Sequence, residues 1–316
     1  MTTTTSQHDL LALCELHDGD DRLDWSLIAR EAARAEGVRQ LLDGRIVEKS
    51  AAADKARTAL TYILKHLNVA RERVASELEL AESVGARLVT VLDAAYPANL
   101  RLIPNLPPFL FMLGGDVTDQ DLRAVCVVGT RKPSPRGVGV AAALAQQLVE
   151  HDVTVVSGLA AGIDAVAHRA ALDAGGRTIA VLGTGITKTY PKENAALSAE
   201  IAERGVLVSQ FWPSSPPARW SFPRRNVVMS GMAQGTAVIE AGPTSGAKMQ
   251  ARLALEHGKR AFLVHSLVTD QKWAQTYVAE RGAIEVSGVE DIIEHLAAPG
   301  RIRGVTDQRQ LTLDLA

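Results

Sequence analysis

The sequence predicts an α/β protein, a Rossmann-like, doubly wound and mainly parallel sheet preceded by an N-terminal helical domain. From about residue 121, short β-branched runs alternate with alanine-rich helical segments, a pattern typical of a parallel sheet covered by helices. The runs are continuously apolar, as in strands buried on both faces. Of 316 residues, 47% are hydrophobic and only 4% aromatic, so the core is aliphatic. A prior of roughly 150 residues per domain gives two domains, or one large domain with an appended module.

Residues 1–86 are predicted to form the helical domain. Leu10, Leu13 and Leu16 recur at helical spacing, another helix starts at an acidic cap, Asp24, and no strand signal interrupts the pattern. Residues 87–120 are predicted to be a connecting segment that packs on the next domain. This segment holds a strand candidate at 88–92, followed by prolines that favour an irregular path.

Residues 121–298 are predicted to form the Rossmann-like domain, with a domain boundary near residue 120. The predicted strands are 124–128, 153–157, 177–182, 205–209, 236–240, 261–265 and 283–286. The predicted helices are 137–150, 163–174, 193–204, 224–233, 246–257, 271–281 and 288–297. Residues 299–316 are predicted to be a polar C-terminal tail, too short for another folded module.

Composition excludes several classes of protein. With 34 Lys+Arg against 36 Asp+Glu, the net charge is −2, so affinity for a polyanion must come from local clusters of basic residues. Two cysteines far apart, Cys14 and Cys126, argue against a disulfide framework and a structural zinc site. No basic-then-apolar leader and no run of 18 apolar residues occurs. We therefore expect a cytoplasmic protein without a membrane partner.

The loops after the strands are the place to look for a site, because ligands of doubly wound sheets bind beyond the carboxyl ends of the strands. After the first strand of this domain, Gly129 and Thr130 precede three cations, Arg131, Lys132 and Arg136. Free amides at a helix start and a forked guanidinium suit a phosphate. The alternative is a strand-to-helix turn whose charges are only solvated.

A second glycine-rich loop spans residues 157–164. Its predicted contacts with a phosphate or base are Ser157, Gly158, Ala160 and Gly162. We expect Asp164 to cap the helix that follows, with a bond to a ligand hydroxyl as the alternative. His168 is expected to be a buried histidine with a backbone partner rather than a catalytic group.

Two further loops add cations and rings. Residues 183–194 carry Lys188, Lys192 and Asn194 as candidate phosphate contacts, although a surface lysine is usually only solvated. Residues 210–226 combine arginines with four of the chain's few aromatic side chains, a mixture that suits single-stranded nucleic acid. Those rings are Phe211, Trp212, Trp220 and Phe222. The alternative is a rigid loop that buries its rings, with Arg225 and Asn226 as internal hydrogen-bond donors.

Together these motifs resemble the DNA-processing protein A (DprA, also Smf) family, and the chain looks like a divergent member of the Rossmann-like Smf/DprA-LOG superfamily. The resemblance rests on Gly-Thr-Arg at 129–131, the loop at 157–164, the segment 178–194, Phe-Pro-Arg-Arg-Asn at 222–226, and Glu240 followed by Ser245 and Gly246. The chain departs from the family pattern at 209–213, at 245–251, where Lys248 adds a cation, and at 265–277.

The resemblance implies a domain that binds single-stranded DNA, forms a homodimer, and loads a RecA-type recombinase during natural transformation or recombination, without catalysis or a cofactor. The family's DNA contacts fall on Arg131 and Lys192, with loop 157–162 as the floor of the site. The full predicted nucleic-acid- or phosphate-binding set is Gly129, Thr130, Arg131, Lys132, Arg136, Ser157, Gly158, Ala160, Gly162, Asp164, Lys188, Lys192, Asn194, Phe222, Arg224, Arg225, Asn226, Glu240, Ser245, Gly246 and Lys248.

Two alternative functions stay open at this point. One is a phosphoribohydrolase of the same superfamily, whose Pro-Gly-Gly-x-Gly-Thr motif and following glutamate are incomplete at 232–240. The other is a sensor of free nucleotides in stress or phage defence, which the same loops would also suit. No catalytic or metal-binding residue is predicted.

Overall fold

We describe the fold from a computed structural model of the chain, which describes residues 3–19 and 21–314. The N-terminal part is mainly helical, as predicted. Side-chain oxygens of Thr4, Asp24 and Ser50 accept backbone amides at three of the helix starts, which stabilises those ends. Its helices are α1 (Thr5–Glu15), α2 (Trp25–Ala32), α3 (Gly37–Leu42), α4 (Ala51–Ile63) and α5 (Leu67–Ser83).

Two short strands interrupt these helices. β1 (His17–Asp18) and β2 (Asp21–Arg22) pair antiparallel. The prediction that no strand interrupts residues 10–86 is therefore wrong at this point. Strands of two residues are too short for an alternating pattern to be recognised in a sequence.

The remaining strands form one sheet, and the predicted fold class is confirmed. Those strands are β3 (Arg87–Thr90), β4 (Phe109–Gly114), β5 (Ala124–Val128), β6 (Thr154–Ser157), β7 (Thr178–Val181), β8 (Val206–Ser209), β9 (Gly235–Val238), β10 (Arg260–Val264) and β11 (Ile284–Val286). Within the described residues, the order across the sheet is β11-β10-β9-β5-β6-β7-β8-β4-β3. All neighbours from β11 to β8 are parallel, whereas β4 and β3 are antiparallel additions at one edge.

Strand β4 corrects the prediction for residues 87–120, which are more than an irregular connection. It pairs with β8 on one side and β3 on the other. Pro107 and Pro108 precede the strand directly and so leave its ladder of hydrogen bonds intact. The predicted boundary near residue 120 consequently lies between two strands of the same sheet. The division of the chain into domains stays a prediction.

Helices cover both faces of the sheet. α7, α8 and α9 form one layer with α14, and α10 packs between α6 and α11 in the other. Helix α12 follows β10 directly and was missed by the sequence prediction. The helices of this part are α6 (Ala98–Arg101), α7 (Pro135–Glu150), α8 (Ile163–Asp173), α9 (Ala195–Arg204), α10 (Ser221–Met232), α11 (Gly246–Glu256), α12 (His265–Asp270), α13 (Lys272–Arg281), α14 (Val289–Ile293) and α15 (Pro299–Asp314).

The predicted polar tail is largely the helix α15, which the sequence analysis did not predict. Arg303 forms an ion pair with Asp119, Thr306 is buried, and the helix packs against α6. Its polar sequence gives a weak helical pattern because most of its described side chains face solvent. No helix in the described part of the chain is both long enough and apolar enough to cross a membrane.

An aromatic cluster joins the N-terminal helices to the antiparallel edge of the sheet. The ring of Phe109 lies 5.0 Å from that of Trp25, 4.8 Å from that of Trp212 and 5.7 Å from that of Phe111, measured between centroids. Such offset and edge-on pairs add to the stabilisation from burial. The helical part is thus attached at the edge remote from β11, where Glu77 of α5 also bonds to Ser214 in the loop after β8.

Candidate functional site

Loops at the carboxyl ends of the parallel strands enclose a cavity of about 270 Å³, here called the carboxyl-edge cavity. It lies between the β5–α7 loop, the β6–α8 loop, and the first turns of α10 and α11. Ten residues of the predicted set line it, namely Gly129, Thr130, Arg131, Ala160, Asp164, Phe222, Arg225, Asn226, Ser245 and Gly246. The sequence prediction missed five others, which are Val128, Met229, Ala247, Met249 and Gln250.

Gly158 is held at both of its peptide groups by buried charged side chains. Its amide donates to Asp164 Oδ2 at 3.2 Å, and its carbonyl accepts from Arg225 Nη1. Arg225 Nη1 also donates to the carbonyl of Val181 at 3.0 Å, and its Nε donates to Asn226 Oδ1 at 3.1 Å. The two buried charges therefore fix the position of the β6–α8 loop.

Burial controls the protonation of this pair. It raises the pKa of the Asp164 carboxyl, against the opposing effect of the Arg225 charge and of the amide donors. It also lowers the pKa of the Arg225 guanidinium, which the Asp164 charge opposes. The prediction that Asp164 caps α8 is wrong, because the carboxylate accepts from the amides of Gly158 and Ala160 in the loop before the helix. Arg225 is an internal donor, which was the alternative left open from the sequence.

Gly162 brings the β6–α8 loop against the β5–α7 loop. Its φ is +83°, in the left-handed region, and a Cβ there would lie 2.4 Å from the carbonyl oxygen of Thr130, so only glycine fits without strain. The amide of the next residue, Ile163, donates to that same oxygen at 3.2 Å. The two loops are thereby fixed to each other.

Buried side chains below the cavity belong to the core. His168 Nδ1 lies 2.7 Å from Thr178 Oγ1, whose hydroxyl donates to the carbonyl of Val155 at 2.8 Å. The imidazole is therefore the donor to Thr178, so its partner is a side chain and not the backbone as predicted. Burial and the nearby Arg225 charge lower the pKa of His168 to about 3, so the ring is neutral near neutral pH. Ser157 Oγ donates to the carbonyl of Val127 at 2.6 Å.

The outer side of the cavity carries exposed cations and rings. The guanidinium of Arg131 lies 5.7 Å from the centre of the Phe222 ring, which lies 5.6 Å from the ring of Tyr190. Arg224 lies 5.7 Å from the ring of Trp220, which is 59% exposed. We call Arg131, Lys132, Lys188, Lys192 and Arg224, all of which are exposed, the cationic rim.

No member of the cationic rim forms an ion pair with another described residue, although many other surface arginines do. The aromatic residues of the 210–226 loop divide into two pairs. Phe211 is buried and Trp212 packs in the aromatic cluster, whereas Trp220 and Phe222 face the rim. The sequence alone could not separate these two pairs, since all four share one proline-rich segment.

Other predicted residues have partners within the protein. Arg136 pairs with Asp270, and the carboxylate of Glu240 accepts from the amide of Ser134 at 3.1 Å and from its hydroxyl at 2.8 Å. These side chains line a neighbouring cavity of about 410 Å³, which adjoins the carboxyl-edge cavity at Thr130.

Three more predicted residues support the loops from within. Asn194 Nδ2 donates to the carbonyl of Leu159 at 2.9 Å, and Ser245 caps α11. Lys248 lies 5.6 Å from the centre of the Trp273 ring, and the indole of Trp273 donates to the carbonyl of Ala241 at 3.1 Å. The divergent segment 265–277 thus supports the loop that leads into α11.

The Gly158→Ala substitution should destabilise the protein by about 3 kcal/mol, the cost of overpacking a close contact. A Cβ at this position would lie 1.6 Å from Arg225 Nη1, whose guanidinium is held by two carbonyls. The matched control is Gly139→Ala in α7, where a Cβ meets nothing within 4 Å. That change should stabilise the helix by about 0.5–1 kcal/mol. Urea denaturation measures both, and equal effects of the two substitutions would contradict this view of the loop.

Acid should weaken the fold partly through His168. In the unfolded chain this histidine binds a proton below its ordinary pKa of 6.5, whereas in the folded protein it stays neutral down to about pH 3. The free energy of unfolding therefore falls as the pH is lowered through this window. Asp164 has a raised pKa, so its protonation favours the folded state and opposes the effect of His168 as the pH falls. In His168→Asn, whose amide can still donate to Thr178, the free energy of unfolding should fall less steeply from pH 6.5 to 4. A slope identical to that of the unmodified chain would count against a neutral buried His168.

Comparison with known proteins identifies relatives along most of the chain. The model of the DNA recombination-mediator protein A family matches residues 87–297. The putative DNA processing protein DprA of Mycobacterium tuberculosis is 37% identical over 288 residues, which is 86% of this chain and 74% of the relative. Protein Smf of Escherichia coli is 35% identical over 234 residues, which is 73% of this chain and 62% of the relative.

Solved structures agree with these relatives. DNA processing protein A from Streptococcus pneumoniae superposes with a TM-score of 0.72 at 26% identity, covering 94% of this chain and 99% of that one. DNA processing protein A from Helicobacter pylori, described for its single-stranded DNA binding mode, superposes with a TM-score of 0.59 at 24% identity, covering 67% and 95% of the two chains. The chain belongs to the DNA recombination-mediator protein A family, the DprA/Smf family that its motifs indicated.

Proposed function

We propose that the chain binds single-stranded DNA across the carboxyl-edge cavity and the cationic rim, as a DprA/Smf-type protein of DNA recombination or uptake. The observation that carries this proposal is the cationic rim itself. Five exposed cations lack an acidic partner among the described residues, in a chain whose net charge is −2. Such a cluster stays without charge compensation until an external anion binds, and a nucleic-acid backbone supplies a row of phosphates.

The rings beside the rim favour a single strand over a duplex. Phe222 and Tyr190 lie next to each other and next to Arg131, and Trp220 lies next to Arg224. Unstacked bases can pack against such rings while the arginines contact phosphates. In a duplex the base faces are already stacked, so these rings would have no partner.

The position of Arg131 supports a direct phosphate contact. It follows Gly129 and Thr130 at the carboxyl end of β5 and lines the carboxyl-edge cavity. Its exposed guanidinium has no acidic partner among the described residues, so it can form a forked contact with a phosphate. A relative from Helicobacter pylori is described for its single-stranded DNA binding mode. We extend this mode of binding to the present chain, with Arg131 and Lys192 as the principal phosphate contacts.

Partners are proposed from the family resemblance. We expect a homodimer that delivers its bound strand to a RecA-type recombinase, and a cytoplasmic location. Natural transformation is the process in which such a protein would meet incoming single strands. The supporting observation is membership in the DprA/Smf family over residues 87–297.

We further propose that the chain has no turnover of its own. Glu240 is the residue that a superfamily hydrolase would use, and here its carboxylate is bonded to the amide and hydroxyl of Ser134. It lines the neighbouring cavity and not the carboxyl-edge cavity. A general acid or base has to reach the reacting atom, and Glu240 supports a loop instead.

Reversing one rim charge should weaken binding selectively. In Arg131→Glu, affinity for a short oligo-dT should fall by about 1–3 kcal/mol, the range for losing a charge-assisted contact. The dependence of affinity on salt should also become shallower, because fewer counterions are released. Fluorescence anisotropy at several salt concentrations measures both effects.

The matched control is Arg39→Glu, which changes the same charge on an exposed side chain of α3. It should leave affinity within about twofold of that of the unmodified chain, as expected for a remote surface charge. Competing mono- and dinucleotides should displace the oligonucleotide poorly. Equal binding by the Arg131 and Arg39 variants, both folded, would remove Arg131 from the site.

Incubation with AMP, NAD and ADP-ribose, followed by chromatography, should show no released base or ribose phosphate above that of a protein-free sample. Glu240→Gln should behave identically, because the carboxylate is structural. Sustained release that disappears in Glu240→Gln would make hydrolase chemistry the better account of the site.

A further inference from the structure

Glu77 of α5 holds the turn that follows β8. Its carboxylate accepts from the amide of Ser214 at 2.9 Å and from the hydroxyl of the same residue. The amide of Ser215 donates to the carbonyl of Trp212 at 2.9 Å, so residues 212–215 form a closed turn, here called the 212–215 turn. Two charge-assisted bonds from one carboxylate to one residue give this contact both strength and a defined geometry.

The aromatic cluster provides a second contact between this turn and the N-terminal helices. The ring of Trp212 lies 6.2 Å from that of Trp25 in α2, measured between centroids. Trp212 belongs to segment 209–213, where the chain departs from the family pattern. Helix α5 in turn packs against α1, so Glu77 stands on a well-supported helix.

The 212–215 turn supports the neighbouring loop of residues 183–194. The amide of Gly185 donates to the carbonyl of Ser215 at 2.9 Å, and Thr187 Oγ1 donates to the carbonyl of Pro213 at 2.6 Å. The two segments are therefore bonded to each other, so a displaced turn would displace the loop as well.

Both segments carry members of the proposed binding surface. The loop of residues 183–194 holds Lys188 and Lys192 of the cationic rim, and the chain beyond the turn holds Trp220 and Arg224. A contact made by α5 thus bears on the positions of cations and rings that lie outside the N-terminal helices.

Most arginines of the N-terminal part are compensated by acidic partners among the described residues. Their charges therefore offer little to a phosphate backbone, and we expect this part to act on binding through the loops. The paired arginines are Arg30, Arg34, Arg39, Arg45, Arg57, Arg71 and Arg73.

We propose that Glu77 is a positioning residue for the binding of single-stranded DNA, which fixes loops of the binding surface through the 212–215 turn without contacting the strand. The inference rests on the proposed function and deepens it, since it gives the N-terminal helices a part in binding. Loops held in place before the strand arrives lose less conformational freedom on binding.

The sign of the effect separates positioning from plain electrostatics. A carboxylate near a phosphate backbone repels it, so removing the charge would raise affinity if Glu77 acted only through its charge. Removing a positioning contact lowers affinity instead.

The experiment compares Glu77→Ala and Glu77→Gln with the unmodified full chain by fluorescence anisotropy with a short oligo-dT. The affinity of Glu77→Ala should fall about 3- to 10-fold, the equivalent of one hydrogen bond. Glutamine offers an acceptor for the Ser214 amide and a donor for its hydroxyl. The affinity of Glu77→Gln should therefore stay within about twofold of that of the unmodified chain, since both bonds can form.

The matched control is Glu79→Ala, which removes the same charge from an exposed side chain of the same helix. Its affinity for oligo-dT should not fall. Hydrogen–deuterium exchange of the free protein adds a readout that needs no DNA. Amides of residues 183–194 and of the 212–215 turn should exchange faster in Glu77→Ala alone, and those of the core strands should not change in any variant.

Unchanged or raised affinity of Glu77→Ala would overturn the inference alone, as would an equal loss in Glu77→Gln or in Glu79→Ala. Faster exchange without lost affinity would overturn it too, because the position of the loops would then not matter for binding. Lost affinity without faster exchange would do the same, since the loops would not have been released. If the unmodified chain did not bind oligo-dT, the proposed function itself would fail together with the inference, before any variant is compared.

Discussion

The geometry of the site depends on one glycine, Gly158, whose two peptide groups are each held by a buried charged side chain. The amide of Gly158 donates to Asp164 and its carbonyl accepts from Arg225. Burying charges is expensive unless they are bonded, and removing one partner of a buried pair typically costs about 3–5 kcal/mol. Both groups bond to the backbone of the β6–α8 loop, so this loop has little freedom to move. Gly162 then fixes the β5–α7 loop, including Arg131, against it.

This arrangement separates two kinds of charge. Inside the protein, Asp164 and Arg225 are bonded and shape the cavity, and Glu240 supports the neighbouring loop through Ser134. Outside, the cationic rim is left without acidic partners among the described residues. A rigid floor holds the loop that carries Arg131 in place before a ligand arrives, which lowers the cost of ordering that loop on binding. The same separation explains why acidic groups near the site are structural.

Most of the sheet could be predicted from the sequence because buried parallel strands are continuously apolar and alternate with helices. Strand β4 was missed since its prolines precede it so closely, and α15 because its pattern is polar. Adjacent arginines were harder to separate. Arg224 and Arg225 are adjacent and chemically identical, yet Arg224 is exposed in the cationic rim and Arg225 is buried. Only the tertiary contacts determine which of the two is buried.

The sequence contains a pattern that could have predicted Gln250 as a residue of the cavity wall. Ala247, Ala251 and Ala254 are buried along one face of α11, and a glutamine at position 250 falls on the same face. A polar residue in an apolar stripe is a candidate for a ligand contact. The motifs that carry the family resemblance consist mainly of glycines and charged residues, and Gln250 was not among the predicted site residues. The pairing of Lys248 with Trp273 could not be anticipated, since the two residues are distant in sequence.

The central claim is that the carboxyl-edge cavity and its rim form the binding surface for single-stranded DNA. A crystal structure of the chain bound to a short oligo-dT tests it most directly. We expect a phosphate at the loop of residues 129–131, bases against Phe222 and Tyr190, and Gly158 still held by Asp164 and Arg225. A strand bound on another surface, with the cavity and rim untouched, would contradict it.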